Sequence, residues 1–148
     1  MLESGTAAPE ISSIDQNGAP FRLSELRGHW VALYFYPKDD TPGCTAEACA
    51  FRDNMESLTK LGLTVVGVST QDAESHQKFA RKYNLAFHLV ADPQKEVTGA
   101  YDSLGAFGMA KRVTYLIDPQ GTIRDVYESG FKPTSHVTHV RDFLAHSQ

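Results

Sequence analysis

The 148-residue chain has two cysteines, and both lie in one segment, Pro37-Lys38-Asp39-Asp40-Thr41-Pro42-Gly43-Cys44-Thr45-Ala46-Glu47-Ala48-Cys49. Sulfur redox chemistry is the first chemistry that this segment suggests. Cys44 follows a Pro/Gly turn, and Ala48, Phe51, Met55, Leu58 and Leu61 recur beyond it at spacings of three and four, with Gly62 next in line. That spacing predicts an amphipathic helix that opens at the turn and stops at the glycine. Cys44 then stands in the first helical turn. There, unpaired backbone N–H groups and the positive end of the macrodipole favour a thiolate, the reactive form of the side chain.

The spacing of the cysteines carries its own constraint. Residues five apart on an α-helix are about 140° apart around the axis and about 7.5 Å apart along it, which puts their Cα atoms roughly 8.6 Å apart. A disulfide spans at most about 7 Å between Cα atoms. A Cys44–Cys49 bond therefore requires the first turn or two of the helix to unwind. A permanent staple is poorly served by this arrangement, whereas a disulfide made and reduced in each catalytic cycle is compatible with it. The alternative is two unrelated buried thiols that behave as small apolar side chains.

The elements around this segment alternate. Trp30 to Tyr36 is an apolar, β-rich run that reads as a buried strand leading into the turn. Before it, Ile11–Ile14 and Phe21–Leu23 flank Gln16-Asn17-Gly18 as a small hairpin, and Ser24–Gly28 reads as one helical turn. Thr64–Ser69 is a second buried strand. Asp72 caps a helix with Phe79, Ala80 and Tyr83 on its apolar face and Asn84 at its C-terminal end. Phe87–Val90 is expected as a third central strand, followed by a short helix over Glu96–Tyr101. Val113–Ile117 and Thr122–Tyr127 flank Asp118-Pro119-Gln120-Gly121 as a hairpin. A last helix spans about Ser135–Ala145 with Val137, Val140 and Leu144 on one face, and Gly105–Met109 is expected to be the mobile loop. This order predicts an α/β fold with a mixed central sheet, of thioredoxin-like pattern, flanked by helices and extended by an N-terminal β-hairpin. A nucleotide-binding fold is disfavoured because no glycine-rich phosphate loop follows a strand.

Composition narrows the function classes. The length suits a single domain over 1–148. A net charge of −4 offers no footprint for nucleic acid or an anionic membrane. No apolar run approaches the ~20 residues of a membrane-spanning helix. Met1-Leu2-Glu3-Ser4-Gly5-Thr6 has neither the basic nor the apolar region of a secretory signal. Two cysteines in such a chain suit a reducing compartment, and a cytoplasmic location is the expectation.

Pro37-x-x-x-Thr41-x-x-Cys44 resembles the peroxiredoxin active-site motif. Thr41-Pro42-Gly43-Cys44-Thr45-x-Glu47-x-Cys49 resembles the bacterioferritin-comigratory, or peroxiredoxin Q, subgroup in particular. The resemblance runs from about Gly5 to the last helix, through Ala8-Pro9, Phe35-Tyr36-Pro37, Val68-Ser69 and Arg112-Val113-Thr114-Tyr115-Leu116-Ile117-Asp118. It implies that the Cys44 thiolate attacks the O–O bond of hydrogen peroxide or an organic hydroperoxide. It places Arg112 beside Cys44 as a fixed charge and a donor to a peroxide oxygen. Thr41 would orient peroxide and sulfur, and Pro37 would shape and dry the pocket. The backbone N–H groups of Gly43 and Cys44 would stabilise the leaving oxygen. The product would be a sulfenic acid on Cys44, which Cys49 resolves as an intramolecular disulfide. The resemblance further implies thioredoxin or a similar dithiol as reductant and no metal or organic cofactor; because the resolving thiol is internal to the chain and needs no partner subunit, a monomer rather than a ring is expected.

Glu47 helps fix the arginine by the same resemblance, or simply complements the helix dipole as an acid near its start. His136 and His139 share a helix face without a third ligand and are expected to be solvated rather than metal-binding. Lys111 reads as a solvated neighbour of Arg112. Two other functions share this sulfur chemistry. A thiol–disulfide oxidoreductase would ordinarily carry Cys-x-x-Cys rather than a gap of four. A non-enzymatic redox sensor or holdase would report oxidation by unfolding the cysteine helix.

Overall fold

The computed structural model describes residues 1–147. Its strands form a five-stranded mixed sheet and a separate hairpin. The hairpin pairs β1 (Ser12–Ile14) with β2 (Pro20–Arg22), and Gly18 at φ 74° supplies the left-handed residue of its turn. A 3-10 turn over Leu23–Leu26 then leads to β3 (Trp30–Phe35), the central strand. β3 runs parallel to β4 (Leu63–Ser69), which runs parallel to β5 (His88–Ala91). On its other side β3 is antiparallel to β6 (Val113–Ile117), and β6 to β7 (Ile123–Glu128). The sheet order is β5-β4-β3-β6-β7.

The helices cover faces that the strands make apolar. α1 (Pro42–Asp53) and α2 (Met55–Lys60) follow β3, α3 (Ala73–Tyr83) joins β4 to β5, α4 (Glu96–Ala100) follows β5, and α5 (Ser135–Ser147) closes the chain. Tyr34 of β3 and Tyr36 just past its end pack on one face with Phe51, Leu58, Phe79 and Leu144, and this cluster contains Cys44. Leu33 and Phe35 point the other way, into a second cluster with Phe21, Tyr101 and Tyr115. The alternation along β3 thus serves two cores, as expected for a strand buried on both faces. α3 starts where Asp72 accepts a hydrogen bond from the Ser75 N–H, and it ends at Asn84, held left-handed at φ 55°.

Two local expectations change. The helical pattern from Ala48 to Leu61 is not one helix: Asn54 (φ −101°, ψ 6°) ends α1, and α2 starts afresh at Met55. The Asn54 side-chain amide donates to the Ala50 carbonyl at 2.8 Å, competing with the regular helix bonding. Periodicity survives across the break, so the apolar spacing does not reveal it. β5, in turn, is an edge strand rather than a central one. Gln16, a buried residue of the hairpin turn, lies against that edge: its Nε2 donates to the Phe87 carbonyl and its Oε1 accepts from the Leu89 N–H, both at 2.9 Å. The Gly105–Met109 segment forms a 3-10 turn with Phe107 at φ 60° and almost fully exposed.

Candidate active site

The carboxyl end of β3 delivers the turn at Pro37–Thr41, and α1 begins directly after it. Thr41 is the extended residue before the helix, and Pro42 occupies the first helical position, where its missing N–H costs nothing. The first helical bond runs from the Thr45 N–H to the Thr41 carbonyl at 2.8 Å. The N–H groups of Gly43 and Cys44 therefore have no acceptor within the helix, and no side chain caps this end. Cys44 itself is 1% exposed, on the buried face of α1 within the cluster of Tyr34, Tyr36 and Phe51. The Thr41 hydroxyl donates to the Lys38 carbonyl at 2.9 Å, so its oxygen is left to accept. Pro37 is half-buried in the turn, its carbonyl 3.4 Å from Gln71 Nε2.

Arg112 reaches this helix start from across the sheet. Phe35 pairs with Val113, so the residue before β6 arrives beside the end of β3. Its Nη2 lies 3.5 Å from Cys44 Sγ, and its Nη1 donates to Glu47 Oε1 at 2.7 Å. Gly43 makes room for this approach: a Cβ there would stand 3.1 Å from Arg112 Nη2 and 3.3 Å from Pro133 Cγ. Glu47 is fully buried, and that burial pushes its carboxyl up to about 8 despite the guanidinium beside it. Burial opposes the charge on Arg112 too, but Glu47 and Cys44 outweigh it and hold the guanidinium protonated. The group is thus a fixed positive charge shared between a carboxyl and a sulfur.

Cys49 is half-buried further along the same continuous helix, and both thiols are free. Lys111 is exposed. His136 is not solvated as expected: it is fully buried on the inner face of α5. Its Nε2 faces the Ser129 carbonyl at 2.9 Å, which can only accept, so Nε2 carries the hydrogen. Nδ1 then accepts from the Thr114 hydroxyl at 2.8 Å. Burial drops the imidazole to about 4 and keeps it neutral. The helical spacing that suggested a shared, solvated face ignores that β6 and β7 close over one of the two rings. His139 diverges, stacking on Tyr127 with ring centroids 4.2 Å apart and pairing with the Asp125 carboxylate. Among the described residues, no group of three or more His, Cys, Asp or Glu is placed to hold a metal ion.

Sequence reading did not single out Tyr34. Its hydroxyl, Glu47 Oε2 and Arg112 Nε are the buried side-chain polar atoms left without a hydrogen-bond partner among the described residues. Burial raises the Tyr34 phenol well above its ordinary range, with further contributions from Glu47 and Cys44. Glu47 Oε2 lies 3.7 Å from His136 Nδ1. An aromatic residue in a buried strand gives no sequence signal for such a place. Taken together, the geometry offers a sulfur at a helix N-terminus, a guanidinium within reach of it, free N–H donors, and a second thiol on the same helix.

The AhpC/TSA family model matches residues 4–126. A chloroplastic peroxiredoxin Q of Arabidopsis thaliana is 41% identical over 145 residues, covering 97% of this chain and 67% of the plant protein. The peroxiredoxin Q of Oryza sativa subsp. japonica is also 41% identical, covering 92% of this chain and 64% of its own length. The chain thus spans just under two thirds of the rice relative. Among solved structures, peroxidoxin BcpB from Mycobacterium tuberculosis superposes with a TM-score of 0.93 at 32% identity, covering 100% of this chain and 99% of that one. The bacterioferritin comigratory protein of Xanthomonas campestris gives a TM-score of 0.89 at 29% identity, with 99% and 100% covered.

Proposed function

The chain belongs to the AhpC/TSA family of peroxiredoxins, and from that premise we propose that it is a thiol-dependent peroxidase acting on hydrogen peroxide and organic hydroperoxides. The observation that carries this reading is the Arg112 guanidinium 3.5 Å from Cys44 Sγ at the start of α1. The Cys44 thiolate attacks the outer peroxide oxygen: the S–O bond forms, the O–O bond breaks, and the leaving alkoxide or hydroxide takes up a proton. Arg112 offers a donor to the peroxide, and the free N–H groups of Gly43 and Cys44 face the developing charge. Thr41 accepts from the peroxide hydroxyl, and Pro37 limits the approach of water. The Cys44 sulfenic acid is attacked by Cys49, giving the disulfide and water, and a dithiol of the thioredoxin class returns both thiols. Because both sulfurs sit on one helix, one chain suffices and a monomer is the working form. Alkyl peroxide reduction, named for the Xanthomonas campestris protein, supports including organic hydroperoxides. Free thiols suit a reducing compartment, cytoplasmic in our reading, whereas the plant relatives are chloroplastic.

Peroxide consumption with thioredoxin, its reductase and NADPH tests this reading. The wild type should turn over many times, and Cys44→Ser not at all. Cys49→Ser should consume one equivalent and leave a sulfenic acid that a dimedone probe labels. An active Cys44→Ser beside an inert Cys49→Ser reverses the two roles. Stoichiometric consumption by the wild type points to a redox sensor instead, and reaction with disulfides but not peroxides points to a thiol–disulfide oxidoreductase.

A further inference from the structure

The turn that carries Pro37 and Thr41 is not held by its own backbone. Asp40, the residue before Thr41, has φ 58°, a left-handed conformation that an L-residue adopts at a cost. Apart from the Thr41 hydroxyl on the Lys38 carbonyl, what holds the turn comes from outside it. Asp39 is 7% exposed; its carboxyl accepts from Tyr36 Oη at 2.6 Å and Ser75 Oγ at 2.7 Å and shares a hydrogen bond with His76 Nδ1 at 2.6 Å. Its backbone N–H donates to Gln71 Oε1 at 3.0 Å, an oxygen also held by the Ser69 hydroxyl. Asp40 is tied to the far end of α3 by Lys82 Nζ and Tyr83 Oη, both at 2.8 Å.

The Asp39–His76 contact has a defined proton count. His76 is fully buried, and its Nε2 lies 2.9 Å from the Val90 carbonyl, an acceptor only, so Nε2 bears a hydrogen. A second proton then lies between Nδ1 and the Asp39 carboxylate, whichever atom owns it. A buried pair of this kind is weak evidence for stability, since an apolar pair of the same volume often serves as well. What an apolar pair cannot do is fix the direction of the turn through three hydrogen bonds, one to Tyr36 just past β3 and two to α3.

We propose that Asp39 is a positioning residue of the site: paired with His76, it ties the Pro37–Thr41 turn to α3 and so sets where Thr41 and the Gly43 and Cys44 N–H groups stand relative to the sulfur. This rests on the reading of that turn as the peroxide pocket. Asp39 touches no reacting atom and acts through Thr41 and the start of α1. Displacement of reacting groups by about 1 Å costs on the order of 100-fold in rate, so a loosened turn has a kinetic signature.

The test compares wild type, Asp39→Ala, Asp39→Asn and Ser75→Ala, reduced, by single-turnover reaction with hydrogen peroxide and by amide exchange of residues 40–44. Asp39→Ala should lose roughly 10-fold to 100-fold in rate at a temperature where far-UV circular dichroism shows it fully folded. Its amides at 40–44 should exchange roughly tenfold faster or more. Asp39→Asn, whose amide oxygen can still accept from Tyr36 Oη and whose NH2 can donate to Ser75 Oγ and a neutral His76 Nδ1, should recover most of both. Ser75→Ala removes one donor only and should show a smaller effect of the same sign, which keeps the test open if Asp39→Ala does not fold. A merely stabilising Asp39 would leave the rate and exchange of the folded molecules unchanged, and that result overturns the proposal. A wild type inert toward peroxide, with fast exchange in Asp39→Ala, would instead overturn the peroxidase reading and leave the positioning role standing.

Discussion

Arg112 is the residue on which the site turns, because one planar guanidinium meets two acceptors of different kinds. Its Nη1 holds the buried Glu47 and its Nη2 reaches the sulfur, so the carboxyl fixes the direction in which the charge is presented. A lysine ammonium supplies the charge but not the fixed fork. We therefore expect Arg112→Ala to slow single-turnover peroxide reduction by roughly 10²-fold or more, the usual loss for one removed donor at developing charge. Arg112→Lys should fall between the two. Stopped-flow measurement on the reduced proteins decides it, and equal rates for all three would make Arg112 a structural partner of Glu47 only. Cys44 was legible from the turn and the helical spacing after it, and the resemblance pointed to Arg112 and Glu47. Tyr34 and His136 were not legible: their roles depend on which strands close over them, and neither periodicity nor residue type encodes that.

The element that matters is α1, which is continuous through both cysteines. The ~8.6 Å between helical positions five apart exceeds the ~7 Å reach of a disulfide. The oxidised protein should then have lost helix over residues 44–50 while the reduced protein keeps it. Amide exchange in that stretch should accelerate on oxidation and reverse with a dithiol. Phe51, fully buried and stacked on Tyr34 with centroids 4.7 Å apart, should loosen with it and offer an apolar surface to the reductant. Equal protection in the two states, with the bond confirmed by mass, would refute this. The break at Asn54 bounds the event. Helix unwinding is cooperative within a segment, and α2 begins a new segment with its own buried Leu58. Apolar spacing alone showed one helix here, because a side-chain amide bonded to the backbone leaves the spacing of its neighbours intact.

For the whole molecule, two buried groups set opposite responses to pH. Glu47 is raised to about 8 from an ordinary 4.5, so between those values the native state holds a proton that the unfolded chain has released. Acidification through that window stabilises the fold, by up to about 1.4 kcal/mol per pH unit. His136 is lowered to about 4 from 6.5, so below 6.5 the unfolded chain takes up a proton that the native state refuses, and acidification destabilises. The two cancel where they overlap. Urea midpoints should rise from pH 8 to 6.5, level off to about 4.5, and fall below that. In Glu47→Gln the upper rise should vanish and the loss below 6.5 should stand exposed. A midpoint that does not change between pH 8 and 6.5 in the wild type would mean that Glu47 is ionised when buried. The overall order of strands and helices was legible because each is a local pattern. Which strand lies at an edge, and what faces it, was not, because Gln16, which covers the outer edge of β5, comes from some seventy positions earlier in the chain.

Gln16 has a consequence beyond the fold it helps to close. By occupying the Phe87 carbonyl and the Leu89 N–H it stands in for a missing strand on β5. Without it, the Phe87 carbonyl and the Leu89 N–H would present unpaired backbone at the edge to any extended chain that met it. That would matter most if the proposed cycle bares apolar side chains, as expected for α1 on oxidation. Two opened molecules could join by strand addition and accumulate as a seed for aggregation. Gln16, with the Ser13 hydroxyl on the Ala91 carbonyl, blunts that template.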